Sequence, residues 1–136
     1  MKKIFLAIVV LANISSYSQS KKDYSFSYNT DSILTNGLRS YYNEKYDDAV
    51  KEYQKISKYD DKYLVAQYEI GLALSAAGKK EELRKHFEGL YNNGSMKEKP
   101  IMYTSYGSFL SDEKEYDKAE KIFEEGAIYM SNSSNF

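Results

Sequence analysis

The sequence predicts an all-α fold of three tandem helix-turn-helix repeats. Glycines in apolar, aromatic-rich runs recur at Gly37, Gly71 and Gly107, 34 and then 36 residues apart. An aromatic residue, Tyr53, Phe87 or Phe123, follows each glycine by sixteen positions, and Ala49 and Ala119 follow the first and third by twelve. A period of about 34 residues is the mark of stacked helical hairpins. Residues 31–131 therefore read as an array with repeats at about 31–60, 62–92 and 99–131.

Ahead of the array lies a targeting segment. Lys2 and Lys3 precede an apolar run, Ile4 to Ala12, that is too short to span a bilayer. Ser16 and Ser18 then stand where a signal peptidase needs small side chains. Residues 1–18 read as a cleavable signal cut before Gln19, which predicts a periplasmic or secreted protein. Its removal leaves 17 basic against 20 acidic side chains. Residues 19–30 are polar and serine-rich and read as a flexible leader. The alternation of Tyr24, Phe26 and Tyr28 leaves a short strand open there.

The first helix is expected over Ile33 to Asn43, after a cap from Thr30, Asp31 or Ser32. Asn43-Glu44-Lys45 is the turn. The second helix is expected from about Tyr46 to Lys58, since Tyr46, Ala49, Val50, Tyr53 and Ile56 recur at three and four residues. The next helix, about Lys62 to Ala77, is apolar almost all round, as suits burial on more than one side. Gly78 stops it by accepting the left-handed conformation. Its partner, about Lys80 to Tyr91, puts Leu83, Phe87 and Leu90 on one face, and 92–95 reads as a loop. Pro100 suits a helix start, so Ile101 to Ser111 and then Tyr116 to Met130 complete the third hairpin. Residues 132–136 are a tail.

Two helices in a hairpin cross closely, and a large side chain at the crossing would hold their axes apart. Gly37, Gly71 and Gly107, with Ala49 and Ala119, are read as the small residues that meet this need. A mid-helix glycine costs about 0.5–1 kcal/mol relative to alanine, so a regular series of them implies a packing reason.

On these residues the chain resembles the tetratricopeptide repeat family. The resemblance covers about 100 residues. It rests on the glycine of each first helix, on Tyr46, Ala49 and Tyr53, on Gly78 and Phe87, and on Tyr103, Tyr116, Ala119 and Phe123. Leu83 and Lys80 depart from the family's alanine and aromatic, so the second hairpin is expected to be splayed. The resemblance implies a short right-handed α-solenoid whose concave face binds extended peptides or partner helices. Carried onto matching positions, that groove is Leu34, Leu38, Tyr41 and Tyr42 in the first repeat. It continues through Val65, Tyr68, Leu72 and Ser75 in the second, and Ile101, Thr104, Ser108 and Ser111 in the third. The lysines and asparagines with which some family members grip a terminal carboxylate are missing at these positions.

Other chemistry is sparse. The chain has no cysteine, which excludes disulfides and thiolate metal sites, and a single histidine, His86. His86 stands four residues after Glu82 and reads as half of a solvated ion pair. There is no histidine pair, phosphate loop or serine elbow. No basic run exceeds two residues, and the net charge is −1, which speaks against nucleic acid. The expectation is a non-catalytic scaffold or adaptor without metal or cofactor, binding a protein or peptide and open to self-association through its C-terminal hairpin. No membrane span is expected after signal cleavage. The alternative is the N-terminal sensory region of a longer, truncated signalling receptor.

Overall fold

The computed structural model describes residues 29–133. The segment expected to be a signal, most of the expected leader and the last three residues lie outside them. Among the described residues the protein is all helical, with seven helices and no strand. These are α1 (29–42), α2 (Tyr46–Tyr53), α3 (Tyr63–Ala76), α4 (Lys80–Asn92), α5 (Ser95–Glu98), α6 (Ile101–Asp112) and α7 (Tyr116–Ser133). The chain divides into two compact units, Met1–Ala66 and Gln67–Phe136, with the boundary inside α3.

One turn is built three times. The residue seven after each periodic glycine, Glu44, Gly78 or Lys114, takes the left-handed conformation with φ of 58°, 68° or 63°. The next N–H reaches back five residues, from Lys45 to Ser40 (2.9 Å), Lys79 to Leu74 (3.0 Å) and Glu115 to Leu110 (2.8 Å). The carbonyls of Lys45, Lys79 and Glu115 then accept the N–H groups of Ala49, Leu83 and Ala119. The first bond of each set ties off a helix C-terminus and the second opens the helix that follows.

The helix pairs also meet through the same contact. A β-carbon built on Gly37 would lie 2.4 Å from the Tyr53 ring, and one on Gly107 would lie 2.6 Å from the Phe123 ring. At Gly71 it would lie 3.5 Å from Phe87, an ordinary contact. The middle crossing is thus the loosest, by about an ångström. A methyl would displace a ring at Gly37 and Gly107 and would fit at Gly71. Ala49 and Ala119 are buried as expected.

In the first unit, Tyr53 and Ile56 are buried. Thr30 is not a cap. It lies inside α1, and its hydroxyl donates to Asp60 at 2.5 Å, while Lys62 pairs with Asp31 at 2.5 Å. Burial opposes ionisation of Asp60, but hydrogen bonds from Thr30, from the Lys62 N–H and with the Asp61 side chain hold its carboxyl below the usual range. Helix α2 ends at Tyr53, five residues early, because Lys55 and Ile56 donate to carbonyls three residues back and tighten the chain into turns.

In the second unit, Leu83, Phe87 and Leu90 of α4 pack with Met96 of α5 and with Met102, Tyr103, Tyr106, Phe109 and Leu110 of α6 in one core. Rings run through it in sequence. Phe109 lies 5.9 Å from Phe87, Phe87 5.4 Å from Tyr106, Tyr106 6.0 Å from Tyr91, Tyr91 6.3 Å from Tyr103, and Tyr103 stacks on Tyr129 at 5.7 Å. Helix α5 begins at Ser95, the last residue of the expected loop, and runs through residues for which no element was expected. Gly94 starts it with φ of 82°, and Met96 on it is fully buried.

Candidate groove between two helices

Helix α3 is apolar around most of its circumference, yet only Ala66, Ile70, Gly71, Ala73 and Leu74 are buried. Its remaining side carries Tyr68, Leu72 and Ser75 to the edge of a groove of about 360 Å³. Helix α6 forms the opposite wall with Ile101, Thr104, Ser105, Ser108 and Asp112. Leu83, Phe87, Met102 and Phe109, all buried, close the floor. The volume falls within the range of ligand-binding clefts.

The chemistry of this groove is graded. The floor is apolar and aromatic, and hydroxyls project from both walls. Asp112 alone among the lining residues carries a charge, at the C-terminal end of α6, where the helix dipole also favours a cation. Beside Tyr68, the Lys99 ammonium stands 5.7 Å from the ring centroid. Burial raises the pKa of neighbouring Glu69, and the Lys99 charge opposes that rise.

Six of the residues expected on the concave face, Tyr68, Leu72, Ser75, Ile101, Thr104 and Ser108, line this one groove. Ser111 stands on α6 but is not part of the lining. Val65 is exposed on α3, in the first unit. In that unit Leu34 is half-buried, while Leu38 and Tyr42 are exposed. Tyr41 meets Tyr46 and Tyr42 edge to face, at 5.4 and 5.9 Å. Gln67, Ser105 and Asp112 were missed. The stripe Thr104, Ser108, Asp112 proceeds by fours, so its periodicity was the signal for Asp112.

His86 is not in a solvated ion pair. It is half-buried, its Nε2 lies 2.8 Å from the Gln67 carbonyl, and burial lowers its pKa despite that hydrogen bond. Among the described residues no group of three His, Asp or Glu side chains is placed to hold a metal ion. Nor is any helix there long and apolar enough to cross a membrane. A second concavity, about 490 Å³, lies between Tyr91, Lys97, Tyr103, Glu125 and Tyr129. Its polar groups already serve one another. Tyr91 donates to Glu125 at 2.9 Å, and Lys97 stands over Tyr129. Comparison with known proteins matched no family model, no curated protein and no solved structure.

Proposed function

We propose that the protein is a non-catalytic interaction module of the tetratricopeptide type. In this reading the three hairpins stack as a short right-handed α-solenoid, segment 1–18 directs export, and the mature chain serves as scaffold or adaptor in an envelope or secreted assembly. The ligand is a peptide or helix of a protein partner, held between α3 and α6. The observation that carries the proposal is the groove itself, where six of the residues expected from the family resemblance line one cleft with an aromatic floor. An apolar residue of the partner fills that floor, the wall hydroxyls bond its polar groups, and Asp112 selects a lysine or arginine nearby.

Selection of displayed peptides against the purified protein tests this. Binders are expected to share an apolar anchor beside a basic residue. They should lose binding to Tyr68→Ala and to Ser108→Trp, two changes on the groove walls. Binders indifferent to both substitutions would move the site elsewhere.

A further inference from the structure

Phe87 and Phe123 are equivalent through the repeated turn, 36 residues apart, yet they meet different surroundings. Phe87 is 6% exposed, covered by Tyr106 and Phe109 of the following hairpin, whereas Phe123 is 39% exposed. Tyr116 on the same face of α7 is 63% exposed. The contact that covers Phe87 is also charged. Arg84 lies over the Phe109 ring at 5.2 Å and pairs with Glu115 at 2.7 Å, and Lys80 pairs with Glu113 at 2.6 Å.

On α7 the register changes sign. Glu120 stands where α4 has Arg84, and neutral Tyr116 stands where it has Lys80. Whatever covers α7 in this register must therefore bring cations where α6 and its turn bring Phe109 and Glu115. The first hairpin of this chain does so. Seventy residues before Phe109 and Glu115 stand Arg39 and Lys45, and Asn43 stands in the place of Glu113. Arg39, Asn43 and Lys45 are all exposed.

We infer that the protein associates head to tail, with the α1–α2 hairpin of one copy seated on α7 of the next. Arg39 of the incoming copy then meets two groups at once. It lies over the Phe123 ring, as a guanidinium lies over an aromatic face, and it pairs with Glu120. Lys45 supplies the second positive charge to Glu120. The face of α7 cannot pair with itself in this way. Asp117, Glu120 and Glu124 are all exposed around Phe123, so two copies of α7 would set acids against acids. Because the two surfaces differ, each copy keeps one of them free for the next, and the assembly grows into a ring or a filament according to whether the rotation closes. It depends on charge, so salt weakens it. The inference rests on repeat register and is independent of the groove.

Sedimentation velocity over a range of concentrations reads it out. The wild-type protein should grow past a dimer as concentration rises, and high salt should return it to monomer. Glu120→Lys alone should be monomeric, and so should Arg39→Glu/Lys45→Glu. An equimolar mixture of those two variants should reassemble, since each restores the other's complement. All these residues are exposed, so circular dichroism should show both variants folded. A wild type that stays monomeric throughout would overturn the inference. So would association that survives either variant, or a mixture that fails to assemble.

Discussion

At the scale of single residues, the glycines inside helices, the three periodic ones and Gly126, are not equivalent, and the difference is measurable. At Gly126 a methyl would lie 2.5 Å from the β-carbon of Tyr103, an atom fixed to the backbone of a residue only 1% exposed. At Gly37 it would meet the Tyr53 ring, which is also 1% exposed and has nowhere to turn. At Gly107 it would meet Phe123, which is half free to swing outward. Gly126→Ala and Gly37→Ala should therefore destabilise by about 1–3 kcal/mol, as overpacking does. Gly107→Ala should cost less. Gly71→Ala should be neutral or stabilise by up to about 1 kcal/mol, since the space exists and alanine is the better helix former. Urea midpoints of the four variants give this order directly. A glycine's position was legible in the sequence. The room around it was not, because that depends on how far a ring sixteen to twenty-three residues away is held.

Elements were legible where periodicity ran long enough to declare itself. The helices at 80–92, 101–112 and 116–133 lie within a few residues of their expected bounds, since Leu83, Phe87 and Leu90 repeat a buried face. On α7 the expected face of Tyr116, Ala119, Phe123 and Gly126 is only partly the buried one, because Ile122 is buried and Tyr116 and Phe123 are exposed. Helix α5 escaped because four residues hold no period. The end of α2 escaped for a different reason. Ile56 continues the apolar spacing and is buried, but it is buried from a turn rather than from a helix. The turns themselves carry a prediction. Their left-handed position holds glycine only at Gly78, and side chains at Glu44 and Lys114 accept a conformation that costs them about 1–2 kcal/mol. Lys114→Gly should raise the unfolding free energy by about 1 kcal/mol, and Gly78→Ala should lower it by a similar amount, both read from denaturant midpoints.

At the scale of the whole molecule, the tyrosines of the second unit set its response to base. Burial first, and then the hydrogen bond to Glu125, pushes the Tyr91 phenol up to about 12 from 10.0. Burial likewise raises Tyr103 and Tyr106, with Glu125 and Glu88 adding to the rise. Each phenol keeps its proton longer when folded than when unfolded. Their contribution to stability is therefore complete below pH 10 and is lost as pH climbs toward 12. Spectrophotometric titration should show Tyr91, Tyr103 and Tyr106 as a late group that ionises together with unfolding. Tyr91→Phe should shrink that late group by one. As for the candidate site, six of its wall residues were named through the family resemblance, while Gln67, Ser105 and Asp112 were not. Its floor was not legible, since Phe87, Met102 and Phe109 read only as core. The groove exists because the packing of α3 leaves one side of an apolar helix unburied.

The ring series from Phe109 to Tyr129 has an optical consequence. The chain has no tryptophan, so tyrosine is its intrinsic emitter. Neighbouring rings in the series stand 5.4 to 6.3 Å apart, close enough for excitation to migrate from one to the next. One member, Tyr91, has its phenol bonded to a carboxylate, an arrangement that drains the excited state. The folded second unit should therefore be dim, and loosening any ring of the series should make it brighten. That gives the protein a built-in lamp for its own unfolding, with no label attached.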